Sequence, residues 1–231
     1  MNRGEMRDTV RVLLGETAED GYKDTEINTF INIAQNRVAI DTRALETSTT
    51  ISVVNYDQTF VEPDDSRADG RYALPDDLLA LQDMDLVDSS GNKTWPEKKS
   101  LKDLIRLYAT TTGGTPTFYG TAYGSTDQAG PTRGDLWLRP WPDATYYATL
   151  YYIQKPTAMD DDTDFSELPE FAHMAVCYQA AMLLSRKWKE RDLMMELAVS
   201  YRDEVSSVLQ MVHQQDMTGT VQIKNVYRRR R

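Results

Sequence analysis

The chain has 231 residues, of which 40% are hydrophobic and 27% charged, enough to bury the core of one domain with an insertion or of two small domains. No apolar run approaches the roughly 18 residues that cross a bilayer. The opening MNRGEMRD lacks an apolar h-region, so neither a membrane span nor a secretory signal is expected. Cys177 is the single cysteine, which excludes an internal disulfide and fits folding in a cytosol. The formal net charge is −10, and the last eleven residues hold five cations and no acid, so residues 1–220 carry −15. An acidic body argues against general affinity for nucleic acid, whose phosphates need a basic surface. A short basic tail on that body points to one specific docking site.

In chain order, residues 5–14 predict a short helix with Met6, Val10, Leu13 and Leu14 on one face and Gly15 at its end. Asp24 or Thr25 is placed to cap a second helix, in which Ile27, Ile31, Ala34 and Val38, with Phe30 alongside, form an apolar stripe. After Glu46 the texture becomes β-rich: 49–54 (TTISVV) reads as a strand, 62–70 as a polar loop, RYALP as strand-like, and SSGN at 89–92 as a turn. Residues 101–108 predict a short helix sharing Leu101, Leu104, Ile105 and Tyr108 on one face. Residues 117–123 read as a strand. DLWLR at 135–139, the turn PWPD and YYATLYYI at 146–153 read as an antiparallel hairpin. An acidic loop at 157–167 follows, then Pro169 in the first turn of a helix carrying Phe171, Met174, Ala175, Tyr178, Ala181 and Met182. A last helix runs through Leu193, Leu197, Tyr201, Val205, Val208 and Val212, closed by Gly219. Helices at both ends must bury their stripes against each other or a partner. The fold class is therefore α+β: a helical bundle from the N- and C-terminal helices, with an inserted antiparallel β-rich domain and an extended C-terminal arm. The expected divisions are residues 1–45, 46–156, 157–217 and 218–231.

Few residues carry a sign of chemistry. Asp160, Asp162 and Asp164 begin a D-x-D-x-D calcium loop, but its sixth and twelfth positions are Phe165 and Phe171, so a solvated acidic loop is expected. His173 and His213 lack a second ligand at metal spacing. Cys177 sits among Ala, Met and Tyr, where a buried, inert thiol is expected. Glu167 with Asp164 is a weak candidate for a glycoside-cleaving pair. No catalytic residue, metal site or cofactor is assigned. Trp137, Trp141, Tyr146, Tyr147, Tyr151 and Tyr152 exceed what a small core usually needs. Strand alternation sends Tyr147 and Tyr151 to one face and Tyr146 and Tyr152 to the other. Either one face of this sheet rests on the helices, or the second face meets a neighbouring subunit, where aromatics are enriched.

The phrases KDTEINTFINIAQNRVA (23–39), RYALPDDLLAL (71–81), GTPTFYG (114–120), LWLRPWPDATYYATLYYIQKP (136–156) and LPEFAHMAVCYQAAMLL (168–184) occur in an order that resembles tailed-bacteriophage head–tail adaptor (connector) proteins. The resemblance covers most of residues 5–215. It implies a structural virion protein rather than an enzyme, made in the host cytoplasm and placed in the neck. It further implies a homo-oligomeric ring, commonly a dodecamer, beneath the portal protein, with a tail or nozzle protein below and genomic DNA passing through the lumen without sequence-specific binding. Some members cleave peptidoglycan, and no motif here transfers that activity. The family's C-terminal segment docks on the portal. Here Val221, Ile223 and Val226 favour an extended path, Tyr227 offers an aromatic anchor, and Lys224, Arg228, Arg229, Arg230 and Arg231 suit carboxylates. The competing readings are a tail-associated cell-wall glycan hydrolase using Glu167, a nucleic-acid module using Arg228–Arg231, and another neck protein such as a head-completion or tail-terminator subunit.

Overall fold

A computed structural model describes residues 1–15, 21–53, 71–107, 113–123, 134–188 and 190–218. The fold is α+β and divides into two compact units: one uses both ends of the chain, up to Leu45 and from Pro156 on, and the other spans Glu46–Lys155. The loop at 62–70, Tyr108, Gly219 and the tail residues from Val221 to Arg231 lie outside the described residues.

The helical unit contains α1 (Arg3–Leu13), α2 (Asp24–Thr42), α4 (His173–Trp188) and α5 (Arg191–Thr218). Helix α1 starts earlier than its apolar stripe predicts, because Asn2 and Glu5 form a reciprocal capping box. Met6 and Val10 are fully buried, and Gly15, at φ +72°, ends the segment in a conformation that favours glycine. In α2 the predicted stripe holds: Ile27, Ile31, Ala34 and Val38 are fully buried. Its predicted cap does not, since Lys23 occupies the N-cap without a side-chain bond. Asp24 is instead the first helical residue, and its carboxylate is taken by Arg11 and Arg7. Pro169 likewise stands one step outside the helix, ahead of a 3₁₀ turn at Glu170–Ala172 that runs into α4.

Helix α4 is the centre of this unit. Ala175, Val176, Cys177, Ala180, Ala181, Leu184 and Ser185 are fully buried, and they occupy most directions around the axis. α4 packs on α1, α2 and α5. Its small side chains let three neighbours approach, and Ser185 satisfies its hydroxyl on the Ala181 carbonyl of its own helix. Helix α5 adds Leu197 and Val208, and Tyr201 donates to Asp41 of α2 at 2.8 Å.

The β unit holds β1 (Glu46–Val53), β2 (Arg71–Ala73), β3 (Leu78–Asp88), β4 (Lys93–Thr94), β5 (Glu97–Lys98), α3 (Leu101–Leu107), β6 (Gly113–Gly114), β7 (Phe118–Tyr123), β8 (Gly134–Arg139), β9 (Trp141–Pro142) and β10 (Tyr146–Gln154). They form one sheet in the order β1-β10-β3-β4, a second in the order β2-β8-β7-β5, and a short parallel pair, β6-β9. Val53, Leu81, Met84, Leu86, Tyr146, Ala148, Leu150 and Tyr152 of the first sheet meet Tyr72, Tyr119, Leu136 and Leu138 of the second in one apolar core. A bulge between β3 and β10 resets the alternation, so Leu81 and Met84, three residues apart, are both buried. The turn at 89–92 is present, with Gly91 at φ +84° and the Asp88 carboxylate accepting the amides of Ser90 and Asn92.

The predicted hairpin of DLWLR and YYATLYYI is not formed. β8 pairs with β2 and β7, whereas β10 pairs with β1 and β3 in the other sheet. Two prolines in the intervening PWPD set the backbone for a crossing between layers rather than a tight reversal. Trp141 and Pro142 pair in parallel with Gly113 and Gly114, and the Arg139–Pro140 peptide is cis.

Helix α3 lies on the outer side of the second sheet, with fully buried Leu104 against Gly120 of β7. Ile105, expected on the same face, is 50% exposed. A Cβ on Gly120 would stand 2.6 Å from Leu104 Cδ1 and 3.0 Å from the Lys99 carbonyl oxygen. Gly120→Ala is therefore expected to destabilise the β unit by about 1–3 kcal/mol. Gly114→Ala, whose Cβ would meet Pro140 at an ordinary 3.5 Å, serves as the comparison in urea denaturation.

Candidate interaction surfaces

The acidic loop at 157–167 is solvated as expected, with Asp160, Asp161, Asp162 and Glu167 exposed, and it is also a brace. Asp162 accepts from Arg3 Nη2 at 2.8 Å, Arg7 Nη1 at 3.0 Å and Arg7 Nη2 at 2.9 Å. Arg3, Arg7 and Arg11, four residues apart on α1, thus form a ladder whose other partner is Asp24. Asp164 folds the loop on itself by accepting the amides of Asp160 and Asp161, each at 2.8 Å. From α2, Asn32 bonds both the amide and the carbonyl of Met159, and the 1%-exposed Gln35 accepts from Ser166. Glu167 accepts from the amide and hydroxyl of Thr157, so the two candidate glycosidase carboxylates both organise the loop.

His173 is buried, with Nε2 2.9 Å from the Leu168 carbonyl and Nδ1 2.7 Å from the Met1 amine. Burial, above all, holds its pKa below the usual histidine range. Cys177 is fully buried, and desolvation pushes its thiol up to about 12, so the reactive thiolate is suppressed. Only the backbone of His213 is described. Among the described residues, no group of three or more His, Cys, Asp or Glu is placed to hold a metal ion, and no helix is long and apolar enough to cross a membrane.

The six aromatic residues divide among three places. Tyr146 and Tyr152 are buried between the sheets, and their hydroxyls donate to Asp143 and Asp77. Trp137 and Trp141 flank the nearly buried Arg139, whose guanidinium lies 5.4 and 5.2 Å from their ring centroids. Register puts Trp137 opposite Gly120, on the outer side of the second sheet. Tyr147 and Tyr151 point out of the first sheet on the other side of the unit, with Ser52 and Ser48 opposite them on β1.

That outer face of the first sheet holds an ordered cluster which sequence reading missed. Asp85 of β3 is 1% exposed, although register puts it on the outer face opposite Thr149. Its Oδ2 accepts from Tyr151 at 2.8 Å and pairs with Lys93 Nζ at 2.8 Å. Trp95 stacks on Tyr151 with ring centroids 6.2 Å apart and 17° between planes, and Lys93 lies 4.5 Å over the indole. The hydrogen bond to Asp85 raises the pKa of both Lys93 and Tyr151. The signal was present in the spacing: Asp85, the turn at 89–92, then Lys93 and Trp95 at alternating positions across a hairpin.

The polar side chains of these surfaces are bonded within loops and on sheet faces. A family model described as SU10 adaptor protein matches residues 1–225, and the chain belongs to that family of phage adaptors. No curated protein matches the chain.

Hydrogen bonds from Arg7 and Arg3 hold the Asp162 carboxyl below the usual carboxylate range. A depressed carboxyl adds stability that is present above about pH 4 and is lost as pH falls through the folded pKa. Asp162→Asn is expected to lower the urea midpoint at pH 7. The gap from the unaltered protein should close below about pH 4, which denaturation at a series of pH values reads directly.

Proposed function

We propose that this phage adaptor is the head-to-tail connector: a ring, commonly twelve copies in such assemblies, that sits beneath the portal protein and receives a tail or nozzle protein on its lower side. The observation that carries the reading is membership of an adaptor family over residues 1–225. The charge supports it. A body at −15 over residues 1–220 gives a sliding duplex no basic surface to grip, as a conduit for genomic DNA requires. On this reading the protein is a virion component of the neck, and acids outnumber bases on the wall of the lumen.

Two surfaces have roles in the ring. The β unit supplies the contacts between copies, and of the six aromatic residues the outward Tyr147, Tyr151 and Trp137 are best placed to meet a neighbour. Residues 218–231 form the arm that docks on the portal through Val221, Ile223, Lys224, Val226, Tyr227 and Arg228–Arg231. Long α5 ends at Thr218, next to Gly219, so this segment begins where the helix stops. Four consecutive arginines suit bidentate pairing with portal carboxylates.

Mass measurement of the purified chain, alone and mixed with its portal, tests the reading. A ring on the portal is expected, and a chain that stays strictly monomeric with portal present removes the connector reading. Deleting residues 219–231 is expected to leave a folded chain and to weaken portal binding at least tenfold, with high salt partly reproducing the loss by screening the arginines. Undiminished binding of the shortened chain would show that the arm is not the docking element.

A further inference from the structure

The two outer sides of the β unit are unlike, and they complement each other. On the first sheet, Asp85 is buried with Oδ2 doubly bonded, while among the described residues no hydrogen-bond donor reaches its buried Oδ1. A buried carboxylate oxygen without a donor costs stability until one arrives. Around it stand Trp95, 57% exposed and held flat on Tyr151, and Tyr147, 51% exposed. Exposed Glu46 and Asp83 share this face by register, so it is acidic despite Lys93. It therefore favours a partner that brings a planar cation and some apolar surface.

The opposite side carries such a feature. Helix α3 covers the outer side of the second sheet and presents Ile105, 50% exposed, next to exposed Arg106. On α3 Arg106 is exposed, whereas Arg139 of β8 is held between Trp137 and Trp141. Two different patches on opposite sides of one unit are what a head-to-tail contact requires, since ring interfaces join unlike surfaces.

We propose that α3 of one copy docks on the outer face of the first sheet of the next, with Arg106 laid on Trp95 and donating to Asp85 Oδ1, and Ile105 packed against the exposed aromatic rings. This names the contact between copies and rests on the ring reading above. The arginine supplies the donor that the carboxylate lacks, and its flat guanidinium matches the indole in a way that a lysine does not. Successive copies then follow one another front to back.

The test is a pair of cysteines beside the contact, Ser52→Cys with Lys102→Cys, in the full chain assembled on its portal and then oxidised. Both positions are exposed, and the native Cys177 is buried. A ladder of covalently linked multimers on a denaturing gel is expected from the double variant, and none from either single variant. Arg106→Glu should reduce ring yield at least tenfold, and Arg106→Lys should restore only part of it. If the unaltered chain forms a ring by mass but the double variant gives no ladder and Arg106→Glu assembles normally, this contact is wrong and the ring reading stands. If the unaltered chain forms no ring, both fail together.

Discussion

Helix α4 constrains the rest of the helical unit. Its buried residues point in most directions around its axis, so a single neighbouring helix cannot cover it. The covering helices come from both chain ends: α1 and α2 from the first 42 residues, and α5 from the last described stretch. The chain must therefore close its helical unit with a segment that is separated in sequence by the whole β unit. Such non-local packing has to be held in register by something more directional than apolar contact. The acidic loop before α4 supplies it, because Asp162 reaches Arg3 and Arg7 of α1 while Met159 and Ser166 reach Asn32 and Gln35 of α2. One short loop thus ties the first two helices to the approach of the fourth.

The β unit solves a different problem. Its strands are short, and each sheet has one apolar face, which neither could bury alone. Packing the two faces together buries both, and the crossing at Pro140–Pro142 carries the chain from one layer to the other. The outward sides then differ because different things cover them. A short helix lies on one, and the other is left with an ordered cluster of Tyr151, Trp95, Lys93 and Asp85.

The helices were largely legible in the sequence, because an apolar residue every three or four positions can be read without knowing the partner. Ile27, Ile31, Ala34 and Val38 illustrate this, and all four are fully buried. The strand pairings were not legible to the same degree. DLWLR and YYATLYYI each alternate cleanly, but alternation names a strand and not its neighbour, and a two-proline link permits a layer crossing as readily as a turn. β3 was obscured for another reason: the bulge at its pairing with Tyr151 and Tyr152 breaks the period that would have announced it. The role of the acidic loop was hidden because its arginine partners lie about 155 residues away, and no local pattern reports a pairing at that distance. Asp85 was missed because an acid inside an apolar strand reads as a surface residue until its tyrosine and lysine partners are brought beside it.

The first and last strands of the β unit are hydrogen-bonded neighbours, with Glu46 opposite Ile153. The chain thus enters this unit and leaves it at the same spot, on a two-stranded stem. An insertion mounted in this way is topologically detachable. Its strands and loops can lengthen, shorten or be exchanged by recombination while the two points of attachment stay one strand spacing apart, near 5 Å. The helical unit then sees the same closure whatever the stem carries. The surfaces carried on the stem can therefore be revised while the two strand ends that rejoin the helical unit keep their spacing.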